Sequence, residues 1–398
     1  MKRSTTKTLI AGAAALLLGT TASAQNDEEI SNLQNQINAL QQQLQGLRNN
    51  ADSPDWLANA QSESLMFNFY GQLTWQSGGG STKADAYRYV LIPSYKLSDY
   101  AKFVSEFELE HGGLKDGDND RFSGALELEQ MYIDVNISEH VNWRSLGVSL
   151  IPIGEINQYH EPDQFYSAKR PQLYKSIIPT TWMELGTGFN GDTPIDGLKY
   201  EYYLSQGLHP YGAAGTDTTW TPKSARPDLN NKNIEEYAHS FKLSYQTGGL
   251  YTSTSAYLQE YTNTNGASTD LLLYNLHAKY EFQNGLRLLG EYAAWDFDNP
   301  NALTDNASDT VSNDSYTGYR LEVSYDIAHG NNTLTPFLRY EELDDDITSS
   351  QETDEYITFG AMYKFGDNWE IKANIERKDD GGTGVETDTI QLSVGMQF

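Results

Sequence analysis

The sequence predicts an all-β protein: a transmembrane antiparallel β-barrel of about sixteen strands behind a short N-terminal coiled-coil helix. Three observations lead there. Apolar and polar residues alternate with a period of two over segments of about ten residues, the length a tilted strand needs to cross a bilayer. Short turns and long polar loops alternate between those segments. No run of eighteen apolar residues follows the first twenty, so helical spans are excluded.

Charge and composition remove other classes. The 398 residues carry 55 acidic and 27 basic side chains, a formal net charge of −28. Nucleic acid is excluded as a partner, because a phosphate backbone needs a basic stripe. With no cysteine, thiolate metal sites and disulfide scaffolds are excluded too. Low hydrophobicity also suits a soluble β-sandwich. Strand length and loop asymmetry decide for the barrel, since sandwich strands are shorter and their loops show no such alternation.

Residues 1–24 read as a secretory signal peptide. Lys2, Arg3 and Lys7 precede an apolar stretch from Leu9 to Leu18, and Ala22-Ser23-Ala24 supplies a small-residue cleavage site. Residues 25–48 carry Ile30, Leu33, Ile37, Leu40, Leu44 and Leu47 at the alternating three- and four-residue spacing of a heptad seam. A helix this short is marginal alone, so it is expected to zip against copies of itself as a periplasmic stalk. The seam leaves dimer and trimer open. Residues 49–64 turn polar around Pro54 and read as a linker.

The barrel is expected over residues 65–398. Phe67, Phe69, Gly71, Leu73 and Trp75 alternate with Asn68, Tyr70, Gln72 and Thr74. Tyr319, Leu321, Val323, Tyr325 and Ile327 alternate with Arg320, Glu322, Ser324 and Asp326, and the pattern continues to the terminal Phe398. Short turns fall at 97–101, 138–140, 191–194, 248–249, 284–285, 329–331 and 366–368. Long loops fall at 78–84, 112–124, 155–181, 207–235, 262–269, 299–314, 344–354 and 379–386, which places both barrel termini on the short-turn side. Trp75, Tyr251, Trp295, Trp369 and Phe398 stand near strand ends, as interfacial girdles require. Parity reverses near Gln130, which predicts a bulge, and residues 251–258 alternate poorly.

After the fifth strand the chain reads Ile151-Pro152-Ile153-Gly154-Glu155 and continues through His160-Glu161-Pro162, Arg170-Pro171 and Ile178-Pro179-Thr180-Thr181-Trp182. These pieces resemble the outer-membrane porins grouped with the phosphate-selective O and P porins. The stalk is similar to that of dicarboxylate-type porins. The resemblance implies a trimeric sixteen-stranded channel in a Gram-negative outer membrane. It further implies that this third loop folds inward and narrows the pore.

Other motifs fail on context. Gly186-x-Gly188-x-x-Gly191 would have to open a helix to hold a dinucleotide, but Asp192, Pro194 and another alternating segment follow. Asp116, Asp118, Asp120 and Glu127 have calcium-loop spacing, yet Arg121 stands where the loop needs glycine. No cofactor and no resident metal are read from the sequence, and nothing in it asks for an enzyme.

If apolar residues face lipid, the opposite parity lines the lumen. It offers the bases Arg88, Lys199, Lys242, Lys279, Arg287, Arg320, Arg339 and Lys372 beside the acids Glu106, Glu108, Glu110, Glu201, Glu281, Glu291, Glu322, Glu341, Glu370 and Glu376, many placed to pair across strands. The expected constriction joins Glu161, Asp163, Tyr166, Lys169, Arg170 and Lys175 of the loop to Lys242, Arg320 and Arg339 of the wall. Lys169, Arg170 and Lys175 would then face Arg320 and Arg339 across the opening. Loop 207–235 is the rival for an inserted loop. The expected function is passive diffusion of small hydrophilic solutes, organic or inorganic anions among them. Expected partners are two further copies of the chain through barrel walls and stalk, and outer-membrane lipid and lipopolysaccharide. The alternative is a structural or adhesive outer-membrane protein with a non-conducting barrel.

Overall fold

The computed structural model describes residues 65–113, 124–209, 221–227, 229, 234, 236–262, 266–303, 314–345 and 353–398. The signal peptide, heptad helix and linker expected over residues 1–64 lie outside the described residues, as do Asp116, Asp118 and Asp120.

One antiparallel sheet closes on itself. Its strands are β1 (Leu65–Gly78), β2 (Ser81–Lys96), β3 (Ala101–Glu110), β4 (Leu126–Ser138), β5 (Val141–Leu150), β6 (Met183–Asp192), β7 (Leu198–Gln206) and β8 (Tyr237–Thr247). They continue as β9 (Leu250–Thr262), β10 (Ser268–Glu281), β11 (Leu286–Phe297), β12 (Ser315–Tyr325), β13 (Asn332–Asp344), β14 (Asp354–Phe365), β15 (Trp369–Asp380) and β16 (Val385–Gln397). Strand β12 runs on past Asp326 as Ile327–His329, and both pieces pair with β13. Strands β1 and β16 pair to close the ring. The terminal residue completes the seam: the Phe398 N–H donates to Phe69 O at 2.9 Å and the Phe69 N–H returns to Phe398 O at 3.1 Å. Closure leaves no sheet edge, which is the condition for β structure in hydrocarbon.

Period-two alternation sets the two faces. Leu73, Leu91, Phe107, Leu243, Leu276, Leu321, Leu338 and Leu392 are exposed on the outside, whereas Gln72, Arg88, Glu106, Lys242, Asn275, Arg320, Arg339 and Gln391 are buried inside. This is the inversion of a soluble core that a lipid solvent demands. Replacing outward Leu321, midway along β12, by arginine should lower folding stability in bilayers by about 2–4 kcal/mol. Equilibrium urea unfolding from vesicles measures this, and a loss below about 1 kcal/mol would mean that this face does not meet lipid.

Three features differ from the expected pattern or explain its gaps. Residues 78–84 are not a long loop: Gly79 (φ 55°) and Gly80 (φ 79°) make a two-residue hairpin turn, because consecutive left-handed residues match the strand twist. Trp295 faces inward and is fully buried, packing on Trp182 and Tyr257 instead of joining an interfacial girdle. Tyr257 is also why residues 251–258 alternate poorly: β9 turns this ring inward while Thr252 and Thr254 face out. The predicted bulge is present. Glu106 pairs with Gln130 and Phe107 with Leu128, leaving Glu129 as the extra residue.

Candidate functional site

Residues 151–182, between β5 and β6, carry a core of their own. Ile151, Ile153, Ile156, Phe165, Leu173, Tyr174, Ile177, Ile178 and Trp182 are all buried. Pro152, Pro162, Pro171 and Pro179 keep helical structure short, leaving α1 (Glu155–Gln158), a 3-10 turn (Pro162–Gln164) and α2 (Leu173–Ser176). Asn157 ties the two ends together. Its Nδ2 donates to Ile151 O at 2.9 Å, and its Oδ1 accepts from the Trp182 N–H at 2.6 Å. Gly154 takes φ 73°, and a Cβ there would come within 2.7 Å of the Tyr174 ring.

Inward-facing side chains hold this segment from around the wall. Gln72 on β1 donates to Ala168 O at 2.7 Å, and Arg88 on β2 donates to His160 O at 2.7 Å. On β11, Trp295 donates to Ile177 O and Glu291 accepts from the Tyr174 hydroxyl. Glu341 on β13 accepts from the Leu173 N–H at 3.0 Å. On β15, Lys372 donates to Pro162 O and Phe165 O, and Asn374 accepts from the Ala168 N–H. Two inward glycines make room for the segment. A Cβ at Gly318 would come within 2.8 Å of Leu173 Cδ1, and one at Gly395 within 2.8 Å of Pro162 Cβ. The segment reaches the short-turn end, where Asp163 pairs with Lys364 at 2.9 Å and accepts from Gln397 at 2.9 Å.

The sequence-predicted residues fall into three groups. Asp163, Tyr166 and Lys242 join segment to wall: Arg287 donates to the Tyr166 hydroxyl at 2.8 Å, and Lys242 donates to Gln158 at 2.6 Å while pairing with Glu155 at 2.8 Å. Burial pushes the Asp163 carboxyl up, but the hydrogen bonds from Lys364 and Gln397 outweigh it and hold the group below the usual range. Arg170, Arg320 and Arg339 are buried and engaged. Arg170 donates to Thr181 Oγ1 at 2.7 Å, and Arg320 pairs with Glu291 at 2.7 Å and lies over the Tyr174 ring. Arg339 pairs with Glu341 at 2.8 Å and donates to Ser167 Oγ at 2.9 Å. Lys169, Lys175 and Glu161 form the third group: Lys175 is exposed, and the other two are half-buried. Burial, reinforced by the neighbouring Lys175 charge, holds the Lys169 ammonium below its usual range.

Arg320 and Arg339 therefore do not stand across open water from Lys169, Arg170 and Lys175. They lie beneath the segment, neutralised by carboxylates. The reason is strand register: Arg320 is directly opposite Glu291 and Arg339 directly opposite Glu322, each pair on the same inward parity. The described part of the rival loop also packs here, with Leu208 buried and Arg226 donating to the carbonyls of Thr180 and Thr181. The wall contacts of Gln72, Asn374 and Trp295 were not anticipated. Their only signal is inward parity, which they share with many other residues.

A sixteen-stranded closed barrel with a lumen of charged and amide side chains is the architecture of an outer-membrane channel. Residues 178–396, more than half of the chain, match the family described as Gram-negative porin. The chain belongs to the Gram-negative porins. A curated relative from Aquifex aeolicus, described as an uncharacterized protein, is 28% identical over 319 residues, covering 75% of this chain and 71% of the relative. Among solved structures, this porin is similar to the outer membrane channel DcaP of Acinetobacter baumannii, with TM-score 0.55 and 11% identity over 85% of this chain and 99% of that one. It is also similar to the trimer form of OmpT, an outer membrane protein of Vibrio cholerae, with TM-score 0.53 and 11% identity over 84% of this chain and 99% of that one. Family and fold together make this porin an outer-membrane channel for small solutes, and point away from an enzyme.

Proposed function

We propose that this porin conducts small hydrophilic solutes by passive diffusion through a passage that residues 151–182 narrow, with a modest ion preference that admits organic anions. The observation that carries the reading is the attachment of this segment to inward side chains of β1, β2, β11, β13 and β15. A chain so held occupies lumen that water and solute would otherwise fill. Arg320, Arg339 and Lys372 are locked against the wall, so selectivity falls to the charges left in water. Among the bases of the segment, Lys175 is exposed and Lys169 is half-buried, so these two stand nearest to water. Charges in a confined aqueous space are less screened than the acidic loops outside, where the Debye length is about 8 Å.

Planar-bilayer recording of the purified porin tests this. Discrete conductance steps are expected, and their absence would favour a structural or adhesive barrel. Changing Lys169 and Lys175 together to glutamate should move the reversal potential in a salt gradient towards cations. An unmoved reversal potential would place the selective charges elsewhere, with loop 207–235 the next to test. Arg170 is unsuitable for this experiment, because glutamate there would be buried among Glu108 and Glu129.

We also infer that three copies assemble through barrel walls, with the Ile30–Leu47 seam as a periplasmic stalk. Apolar heptads of this length support that assembly only when something else holds the helices together. Mass measurement of the mature chain in mild detergent should give three protomers, and a monomer would refute it.

A further inference from the structure

We propose that Glu106, Glu129 and His160 form a binding site for a divalent transition-metal ion of the zinc type, which clamps residues 151–182 to the barrel wall. The three side chains come from separate elements: β3, the bulge of β4 and the segment that follows α1. One nitrogen or carboxylate oxygen of each lies within 4.8 Å of the others. His160 Nε2 is 3.4 Å from Glu129 Oε2 and 3.7 Å from Glu106 Oε1. A tetrahedral ion with bonds of about 2.0–2.1 Å spaces its ligand atoms about 3.4 Å apart, so the two edges from histidine are already close to that geometry.

The hydrogen bonds prepare the ligands. His160 Nδ1 lies 3.1 Å from Asn157 O, and a carbonyl can only accept, so Nδ1 carries the hydrogen. Nε2 then points at two carboxylates with no hydrogen-bond partner. A carbonyl behind Nδ1–H is how metal-binding histidines are oriented. Glu106 is steadied by the Tyr70 hydroxyl, donating at 3.2 Å, and by the Gln130 amide. Glu129 is fully buried, with the Glu108 carboxyl as its side-chain hydrogen-bonding neighbour. Two buried carboxyls side by side are costly unless a proton or a cation meets them.

Charge balance leaves room for a divalent ion. Around this point the carboxyls of Glu106, Glu108, Glu129 and Glu161 outnumber the guanidiniums of Arg88 and Arg170 among the described residues. One divalent ion balances the set, as would two protons with one shared between Glu108 and Glu129, and metal titration tells the two apart. The bulge explains how the site arises. Strict alternation would turn either Glu129 or Gln130 outward, and the extra residue lets both reach Glu106 and His160.

Full-length porin refolded in detergent, stripped with EDTA and titrated with Zn²⁺ or Co²⁺ alone tests the site. One tightly held ion per chain is expected, together with cobalt visible absorption of a low-coordinate nitrogen–oxygen site and a raised thermal unfolding midpoint. Glu129→Gln and His160→Gln should each weaken binding at least about 100-fold, beyond the 10–100-fold loss typical of outer-shell changes. Should either variant fail to refold, Glu106→Gln makes the same test while keeping an acceptor for Tyr70. Failure of the stripped porin to take up a stoichiometric ion would overturn the proposal in favour of an imidazolium–carboxylate cluster. Unchanged affinity in the variants would assign the ion to the acidic loops. Neither outcome depends on whether the barrel conducts.

Discussion

Excising residues 156–180 and joining the ends by a short glycine–serine link is expected to raise single-channel conductance several-fold. The barrel should survive, because its strands pair continuously around the ring and its outer face meets lipid without help from the segment. Inside, Arg320, Arg339 and Lys372 would exchange the segment's partners for water while retaining carboxylate neighbours. The lumen would gain the volume now taken by Phe165, Leu173, Tyr174, Ile177 and Ile178. Unchanged conductance in a folded variant would show that the limiting section lies elsewhere, and the described part of loop 207–235 packed on Thr180 and Thr181 would be the first suspect.

Arg339→Ala should cost about 3 kcal/mol of folding stability, the low end for breaking a buried ion pair. The guanidinium is fully buried between Glu322 and Glu341 and also holds Ser167. Its removal leaves two carboxylates in the interior with one base nearby, since Arg320 is opposite Glu341 on the neighbouring strand. That remaining neighbour keeps the cost at the low end. Adding Glu341→Gln should recover part of the loss, because the amide oxygen can still accept from the Leu173 N–H. Urea unfolding in lipid vesicles reads both changes. A loss under about 1 kcal/mol would mean that water already reaches these groups.

Much of the wall was legible because its signal is local. Side-chain direction in a strand depends only on parity, so Leu321 outward and Arg320 inward follow from their places in one alternating run. The bulge near Gln130 was visible as a reversal of the same pattern. The segment 151–182 could be singled out by length and prolines, but the partners of its side chains could not. Lys169, Arg170 and Lys175 look alike in sequence. Only packing distinguishes an exposed Lys175 from an Arg170 buried against Thr181. Trp295 misleads for the same reason: a tryptophan near a strand end suits an interfacial belt equally well, until Trp182 and Tyr257 are seen to cover it.

The sequence by itself determined that this chain is a closed antiparallel barrel, which face of most strands meets lipid, and that the connections at one end of the barrel are tight. Each of those follows from relations between residues two apart or between adjacent strands, and a bilayer leaves an unpaired backbone no alternative. Tertiary structure alone decided what the lumen holds. Lys372 reaches Phe165, Arg339 reaches Ser167, and His160 meets Glu106 and Glu129, all joining parts of the chain with no local spacing in common. Such meetings depend on how a long segment is threaded back through a ring of strands, and no periodicity in the sequence encodes that path.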